Sequence, residues 1–275
     1  MRYIFKHAYL VFLAYFLEAC ETQIISTSKG FPPYREEMLV HGLFSINNVH
    51  VAIQRSMPFN ITDVGDTVHG LRVKLYADNS YLLTLVTQDD YNYFLPEGIL
   101  LNDNSFFHIE IECPNQKILK SKNVKIPATP VIDTVIVNPY WTGEGGEVLF
   151  AFQNISKETH HYCVKILQYV NDVCVSNDSL TFGWNEVITV KEQSRIEGKQ
   201  ILVWQDRSVN KLEVRVYHLS DELARFLNSM LENLRTEGDA YSEDVVPVFT
   251  NLENGYGIWA SYSYASRIIL LNPGQ

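Results

Sequence analysis

Between residues 38 and 126 the chain alternates apolar and polar side chains in short runs: MLVHGLF, HVAIQR, LRVKLYA, YLLTLVT, FFHIEIE and KILKSKNVKI. Asn, Asp, Gly or Pro separates them, which is the pattern of half-buried strands divided by turns. In Leu71-Arg72-Val73-Lys74-Leu75 the apolar residues share one face and the basic residues the other. Several strands without a helical stripe predict a first β-sandwich-like module over residues 37–127. IPATPVID follows, and each of its prolines holds the preceding residue extended, making a stiff junction. A second strand-rich module, 131–275, carries VIDTVIV, VLFAFQN, YCVKILQYV, EVITVK, QILVWQD and LEVRVYHL. A turn at Asn254-Gly255 leads to apolar strand material at the end of the chain.

One segment breaks the period of two. Leu223, Phe226, Leu227, Met230, Leu231 and Leu234 recur at helical spacing and predict an amphipathic helix over 220–237, inserted between strands of the second module. Ser220 is placed to cap it, Asp221 and Glu222 suit the positive end of its dipole, and Gly238 stands where a left-handed cap would stop it. Its outer face, with Glu222, Arg225, Glu232 and Arg235, lacks the basic excess of membrane-surface helices, so the stripe is read as core. The expected fold class is mainly β: two β-sandwich-like (Ig-like) modules, with one amphipathic helix inserted in the second.

The start of the chain has a different pattern. Basic residues Arg2 and Lys6 precede the apolar run YLVFLAYFLEAC, which is about half the length of a membrane-spanning helix. A charged start, an apolar middle and a small residue at the end are the layout of a secretory signal over 1–19. Leu17-Glu18-Ala19-Cys20 resembles the lipobox of bacterial lipoproteins, apart from the charge at Glu18. That resemblance implies cleavage before Cys20 and acylation of its thiol, and more than one chain makes the attachment stable. ETQIISTSKGFPPY, with Gly30, Pro32 and Pro33, reads as a tether over 20–36.

Without residues 1–19 the chain keeps 20 basic and 31 acidic side chains, a formal charge of −11 against −10 for the whole. An acidic chain without a basic run is not expected to bind nucleic acid. Besides Cys20 there are Cys113, Cys163 and Cys174, an odd number without the close spacing of a zinc site. A hairpin turn at Asn171-Asp172 would set Cys174 opposite Tyr169 rather than Cys163, which argues against a disulfide between the two cysteines.

The order of features after residue 212 carries a resemblance. Val214, Val216, Tyr217, Leu219 and Ser220 form a strand leading directly into the helix; Pro247 lies in the loop after it; Asn251, Asn254, Gly255 and Gly257 form a turn before an aromatic strand. This resembles a Bacteroidota outer-membrane lipoprotein family, domain of unknown function 4249, and LVHGLFS and VHGLRVKLYAD are similar to its N-terminal strands. The resemblance implies a protein lipid-anchored in the outer membrane, at the cell surface or on the periplasmic face, serving a TonB-dependent receptor in nutrient uptake. It names no ligand; a carbohydrate or a peptide fits.

No G-x-S-x-G elbow, H-E-x-x-H, Walker loop or paired C-x-x-C occurs in the sequence, so no enzyme, cofactor or metal site is expected. His160 and His161 are adjacent on a strand and point to opposite faces, which does not suit one ion. His108 and Glu110 read as a polar pair of a strand face. Asp89-Asp90 and Glu110 with Glu112 are the carboxylates a glycoside hydrolase would need, at a separation that sequence does not give. Tyr140 and Trp141, in PYWTGEGGEV, are the candidate ligand- or partner-binding residues, an aromatic pair beside glycines. Among the later aromatics Tyr262 and Tyr264 share one face and Trp259 takes the other, so at least one set is expected in the core. The expected function is a non-enzymatic accessory of a transporter, with an independent adhesin or structural lipoprotein, and then a hydrolase, as the alternatives.

Overall fold

A computed structural model describes residues 37–56, 69–87, 89, 91–114, 117–140, 144–154, 157–176, 186–192, 194–206, 208–237 and 247–271. The expected signal, tether and Cys20 lie outside these residues, as do Trp141 and Gly238. The first strands are β1 (Met38–Ser45), β2 (Asn48–Arg55), β3 (Arg72–Ala77), β4 (Ser80–Thr84), β5 (Val86–Thr87), β6 (Asn92–Phe94), β7 (Phe106–Glu112), β8 (Ile118–Ser121) and β9 (Val124–Lys125). After the proline-containing connector come β10 (Val131–Pro139), β11 (Gly145–Asn154), β12 (His160–Val170), β13 (Val173–Cys174), β14 (Ile188–Val190), β15 (Ser194–Val203) and β16 (Lys211–Leu219). Helix α1 (Asp221–Glu237), β17 (Leu252–Glu253) and β18 (Tyr256–Leu270) complete the described chain. The protein is mainly β, as the alternation predicts.

Among the described residues there are three sheets. The largest runs β13-β12-β16-β18-β1-β2-β6-β5, with β14 also on β12; a second is β17-β8-β7-β3-β4, with β9 on β7; the third is β10-β11-β15. Two cores lie between them. Val40, Phe44, Val51 and Ile53 of β1 and β2 pack with Val73, Leu75, Ile109 and Ile111 of β3 and β7. Val148, Phe150 and Phe152 of β11 pack with Tyr162, Ile166, Leu212, Val214 and Val216 of β12 and β16. Both are sandwich-like, with alternate side chains of each strand pointing inward.

β18 joins the two halves. Its first part pairs with β1 in parallel, Leu39 beside Tyr256 through Phe44 beside Ser261. Its second part pairs with β16 antiparallel, Leu219 beside Tyr262 through Lys211 beside Leu270. The first core therefore contains Leu252 and Trp259, residues assigned by sequence to the second module. Trp259 is fully buried, stacks on Phe44 at 4.3 Å and donates from its indole nitrogen to Phe107 O at 3.0 Å. One residue thus fastens the two sheets of the first sandwich together. The end of β9 and the connector after it are stitched to the large sheet: Ser261 Oγ donates to Lys125 O at 2.6 Å and Ser263 Oγ to Ala128 O at 2.9 Å.

Helix α1 covers the other face of the large sheet, where Leu223, Phe226 and Leu227 bury against Cys163, Tyr217, Leu219, Ile258 and Ala260. Ser220 caps it as expected: its Oγ accepts from Leu223 N–H at 3.3 Å and also from Ser261 N–H at 3.2 Å. The predicted stripe runs too far, because Leu234 is 46% exposed. Burial falls along the helix from Leu223 to Leu234, so the last turns have no sheet to pack on. The Asn171-Asp172 turn has both residues at positive φ and places Cys174 opposite Tyr169. Cys113, Cys163 and Cys174 are free thiols.

Candidate ligand-binding groove

β1 is apolar on both faces, and this gives it a second role. Val40 and Phe44 point into the core, while Leu39, His41 and Leu43 point to the opposite side. The register sets Leu39 beside Gln54, His41 beside Ala52 and Leu43 beside His50. These six side chains make the floor of a groove of about 710 Å³, walled by Phe226 and Met230 of α1 and by the strap 247–250. A volume of that order suits a small-molecule ligand, for which an apolar lining with a few polar groups is the usual design.

The strap is held from both ends. Phe249 N–H donates to Ser229 Oγ at 2.8 Å, and the Arg225 guanidinium lies 4.1 Å from the centre of the Phe249 ring. At the other end the buried Asn251 side chain binds the backbone of Trp259 twice, Nδ2–H to Trp259 O at 2.7 Å and Oδ1 from Trp259 N–H at 2.9 Å. Asn254 turns the chain at φ 64° and donates to Ile118 O at 3.1 Å. Gly257 has φ 118°, and a Cβ there would overlap Val40 O, so only glycine lets β18 settle beside β1. The Asn251, Asn254 and Gly257 pattern is thus the corner that starts β18 and closes one side of the groove.

Two imidazoles supply polarity. His41 meets Phe226 edge-on at 5.2 Å, and burial, with a smaller contribution from His50, holds its pKa below the ordinary value, so the ring is neutral at pH 7. His50 stacks on Phe94 at 4.9 Å and lies 2.8 Å from Asn92 Oδ1. An amide oxygen only accepts, so His50 Nε2 carries the proton and in the neutral ring Nδ1 is the acceptor. Asn92 in turn donates to Asp89 from its side chain at 2.9 Å and its backbone at 2.6 Å, and these bonds hold the Asp89 carboxyl below its usual range.

A family model, domain of unknown function (DUF4249), matches residues 27–268. The chain belongs to this family. The matched span takes in both sandwiches of the DUF4249 chain, α1 and most of β18. No curated protein matches this DUF4249 chain. Solved structures similar to it include a cytokine receptor complex (9% identity, TM-score 0.28, covering 85% of this chain and 95% of that one). A DUF3823 family protein from Parabacteroides merdae is another (12% identity, TM-score 0.24, covering 68% and 92%). A Salmonella alpha-2-macroglobulin is a third (12% identity, TM-score 0.23, covering 70% and 14%).

Among the described residues, the candidate binding and titratable residues of the sequence, Tyr140, His108, Glu110, His160 and His161, lie outside the groove of this DUF4249 chain, and Asp90, like Trp141, is outside the described residues. Tyr140 follows β10 and is 40% exposed, with its N–H donating to Gly145 O at 2.9 Å; it does not line the groove. His160 and His161 do part to opposite faces. His161 lies 3.1 Å from Thr189 Oγ1 and 3.5 Å from Asp221, while His160 Nδ1 lies 2.8 Å from His218 Nε2. The strand end is therefore half-buried and bonded. His218, which sequence reasoning passed over, is buried, stacked on Tyr162 at 4.8 Å and donates from Nδ1 to Ala128 O at 2.7 Å. His108 is 2% exposed, stacked on Tyr76 at 4.7 Å and 2.9 Å from Asn123 Oδ1. Its Nε2 is 3.9 Å from Glu110, whose carboxylate is engaged by Lys120 at 2.9 Å.

Proposed function

We propose that this DUF4249 protein is a non-enzymatic binding protein, lipid-anchored through Cys20 in the outer membrane, that serves a TonB-dependent nutrient transporter and holds its ligand in the β1–β2 groove. The observation that carries the binding role is the groove itself: a concavity of about 710 Å³ with a pre-formed floor that mixes leucines with His41, His50 and Gln54, and walls pinned by hydrogen bonds. Leu39, Leu43, Phe226 and Met230 suit an apolar ligand body, and the uncharged His41 beside them suits a hydrogen-bonding group. The anchor and the transporter rest on the lipobox-like Leu17–Cys20 segment and on the family resemblance.

The test is a mild-detergent pull-down of the tagged full chain from native outer membranes, followed by mass spectrometry of proteins and of released small molecules. The expected result is one TonB-dependent receptor in near-equal amount, reduced by Cys20→Ala, and a small molecule that is lost when Ala52→Trp fills the groove. A protein that stays in the membrane fraction without a receptor overturns the accessory role. A small-molecule content unchanged by Ala52→Trp overturns the groove.

A further inference from the structure

β15 is paired on one edge only. It meets β11 at all ten of its positions, and among the described residues no strand lies on its other edge. Two bonds fix which residues face outward. Trp204 N–H donates to Glu144 O on the β11 side at 3.0 Å, so even-numbered residues point their backbone groups to β11. Val203 O, by contrast, accepts from the Gln168 side chain at 3.1 Å on the open side. The odd residues Arg195, Glu197, Lys199 and Ile201 therefore turn their N–H and C=O groups to the open edge, while Gln168 closes it at Val203.

Sheet edges of this length are usually blunted by proline, a bulge or charged side chains, lysine above all. β15 has neither proline nor bulge, its register with β11 being unbroken over Ser194–Val203, and its edge charges, Arg195, Glu197 and Lys199, are of mixed sign, so an opposed strand that matches them is not repelled. Gly198 lies at the middle of the open stretch, and Phe150 crosses beneath it where a side chain would otherwise stand. The four outward residues are exposed and carry Arg, Glu, Lys and Ile in that order, with Ile201 63% exposed.

We infer that this edge pairs with the same edge of a second copy of the chain, antiparallel, with Gly198 on the two-fold axis. In that register Glu197 lies directly opposite Lys199 of the second copy, and by symmetry this happens twice; Arg195 lies opposite Ile201. Each of these pairs exchanges both of its backbone bonds. Neighbouring registers are worse for stated reasons. Lys199 on the axis opposes two lysines, and Glu197 on the axis opposes two glutamates and sets Arg195 against Lys199. Ile196 on the axis matches Arg195 with Glu197 but runs off the start of the strand. Gln200 on the axis brings in Val203, whose carbonyl Gln168 already holds.

The charges are available for this exchange. Within one copy Arg195 pairs with Glu197 and, at 3.4 Å, with Asp133, and Lys199 pairs with Glu147 at 2.9 Å, at side chains 49%, 68% and 57% exposed for Arg195, Glu197 and Lys199. Pairs that open to water contribute little and re-form readily with a new partner. The product is one continuous sheet running β10-β11-β15 through the axis into the same three strands of the second copy.

Sedimentation of the full chain in detergent micelles over a range of protein concentrations tests this. The wild type is expected to dimerise, and E197K and K199E each to weaken the dimer by roughly tenfold or more, since each sets like charges opposite one another twice. An equal mixture of E197K and K199E restores opposite charges and is expected to recover the dimer as a heterodimer; that recovery also shows that both variants fold. Glu147→Gln, which releases Lys199, is expected to tighten dimerisation. A wild type that stays monomeric throughout, or a dimer that neither single charge reversal weakens, overturns the inference.

Discussion

His218 makes stability depend on pH in a way that its surroundings specify. Its Nδ1–H is committed to Ala128 O, so the neutral ring has a lone pair on Nε2 to accept from His160. Protonation would place a second N–H against that donor in a site where the ring is 5% exposed. Burial first, then the nearby His160 and His161, outweigh the Ala128 bond and Asp221 and bring the pKa from 6.5 down to about 4. The unfolded chain takes up the proton below about 6.5 and the folded chain only near 4, so stability is full above the first value and falls as pH drops to the second. A gap of this size corresponds to about 3 kcal/mol at roughly 1.4 kcal/mol per unit. His218→Asn keeps an amide N–H where Nδ1–H stands and does not titrate. Urea unfolding between about pH 7 and pH 4 should therefore show the wild type losing about 3 kcal/mol more than His218→Asn. His41, His108 and His161 are also held low by burial and lower the stability of both proteins alike, which is why the difference is read. Equal losses in the two proteins, or a wild type that gains stability as pH falls, would refute the reasoning.

Gly257→Ala forces a side chain onto Val40 O at a backbone conformation that L residues rarely adopt; chemical denaturation should show a loss of more than roughly 2 kcal/mol. Asn251→Ala leaves the Trp259 N–H and C=O buried without their partner, and the same assay should report a loss of about 2 kcal/mol. Among the three described cysteines, a thiol reagent with peptide mapping should label the exposed Cys174 in the native protein and leave Cys163 unlabelled until unfolding, since burial pushes the Cys163 thiol up to about 11.

Much of the strand layout is legible because alternation is local. Val73 and Leu75 inward with Arg72 and Lys74 outward need no distant information, and the helix announces itself through Leu223, Phe226 and Leu227. Strand β6 escaped because Asn92–Phe94 is too short to show a period, and the first half of β15 because Arg195, Glu197 and Lys199 look like a loop. The parallel pairing of β1 with β18 depends on residues more than 200 apart in sequence, beyond any local pattern. That is why the sequence alone does not reveal that Trp259 packs in the core of the first sandwich. The groove left one trace: Leu39 and Leu43 are apolar on the face that an ordinary half-buried strand gives to water. Reading that trace requires knowing that β2 lies alongside and that Phe226 comes from above. His218 looked unremarkable because its partners, Ala128 and His160, come from a connector and another strand.

The shared strand also sets an order of events during synthesis. Until residue 259 has been made, the first sandwich lacks the indole that spans Phe44 and Phe107, and β1 has no neighbour on one side. β1, the first described strand to be made, is therefore among the last to be locked in place. A truncated product ending before β18 would carry most of the sequence of two sandwiches and complete neither.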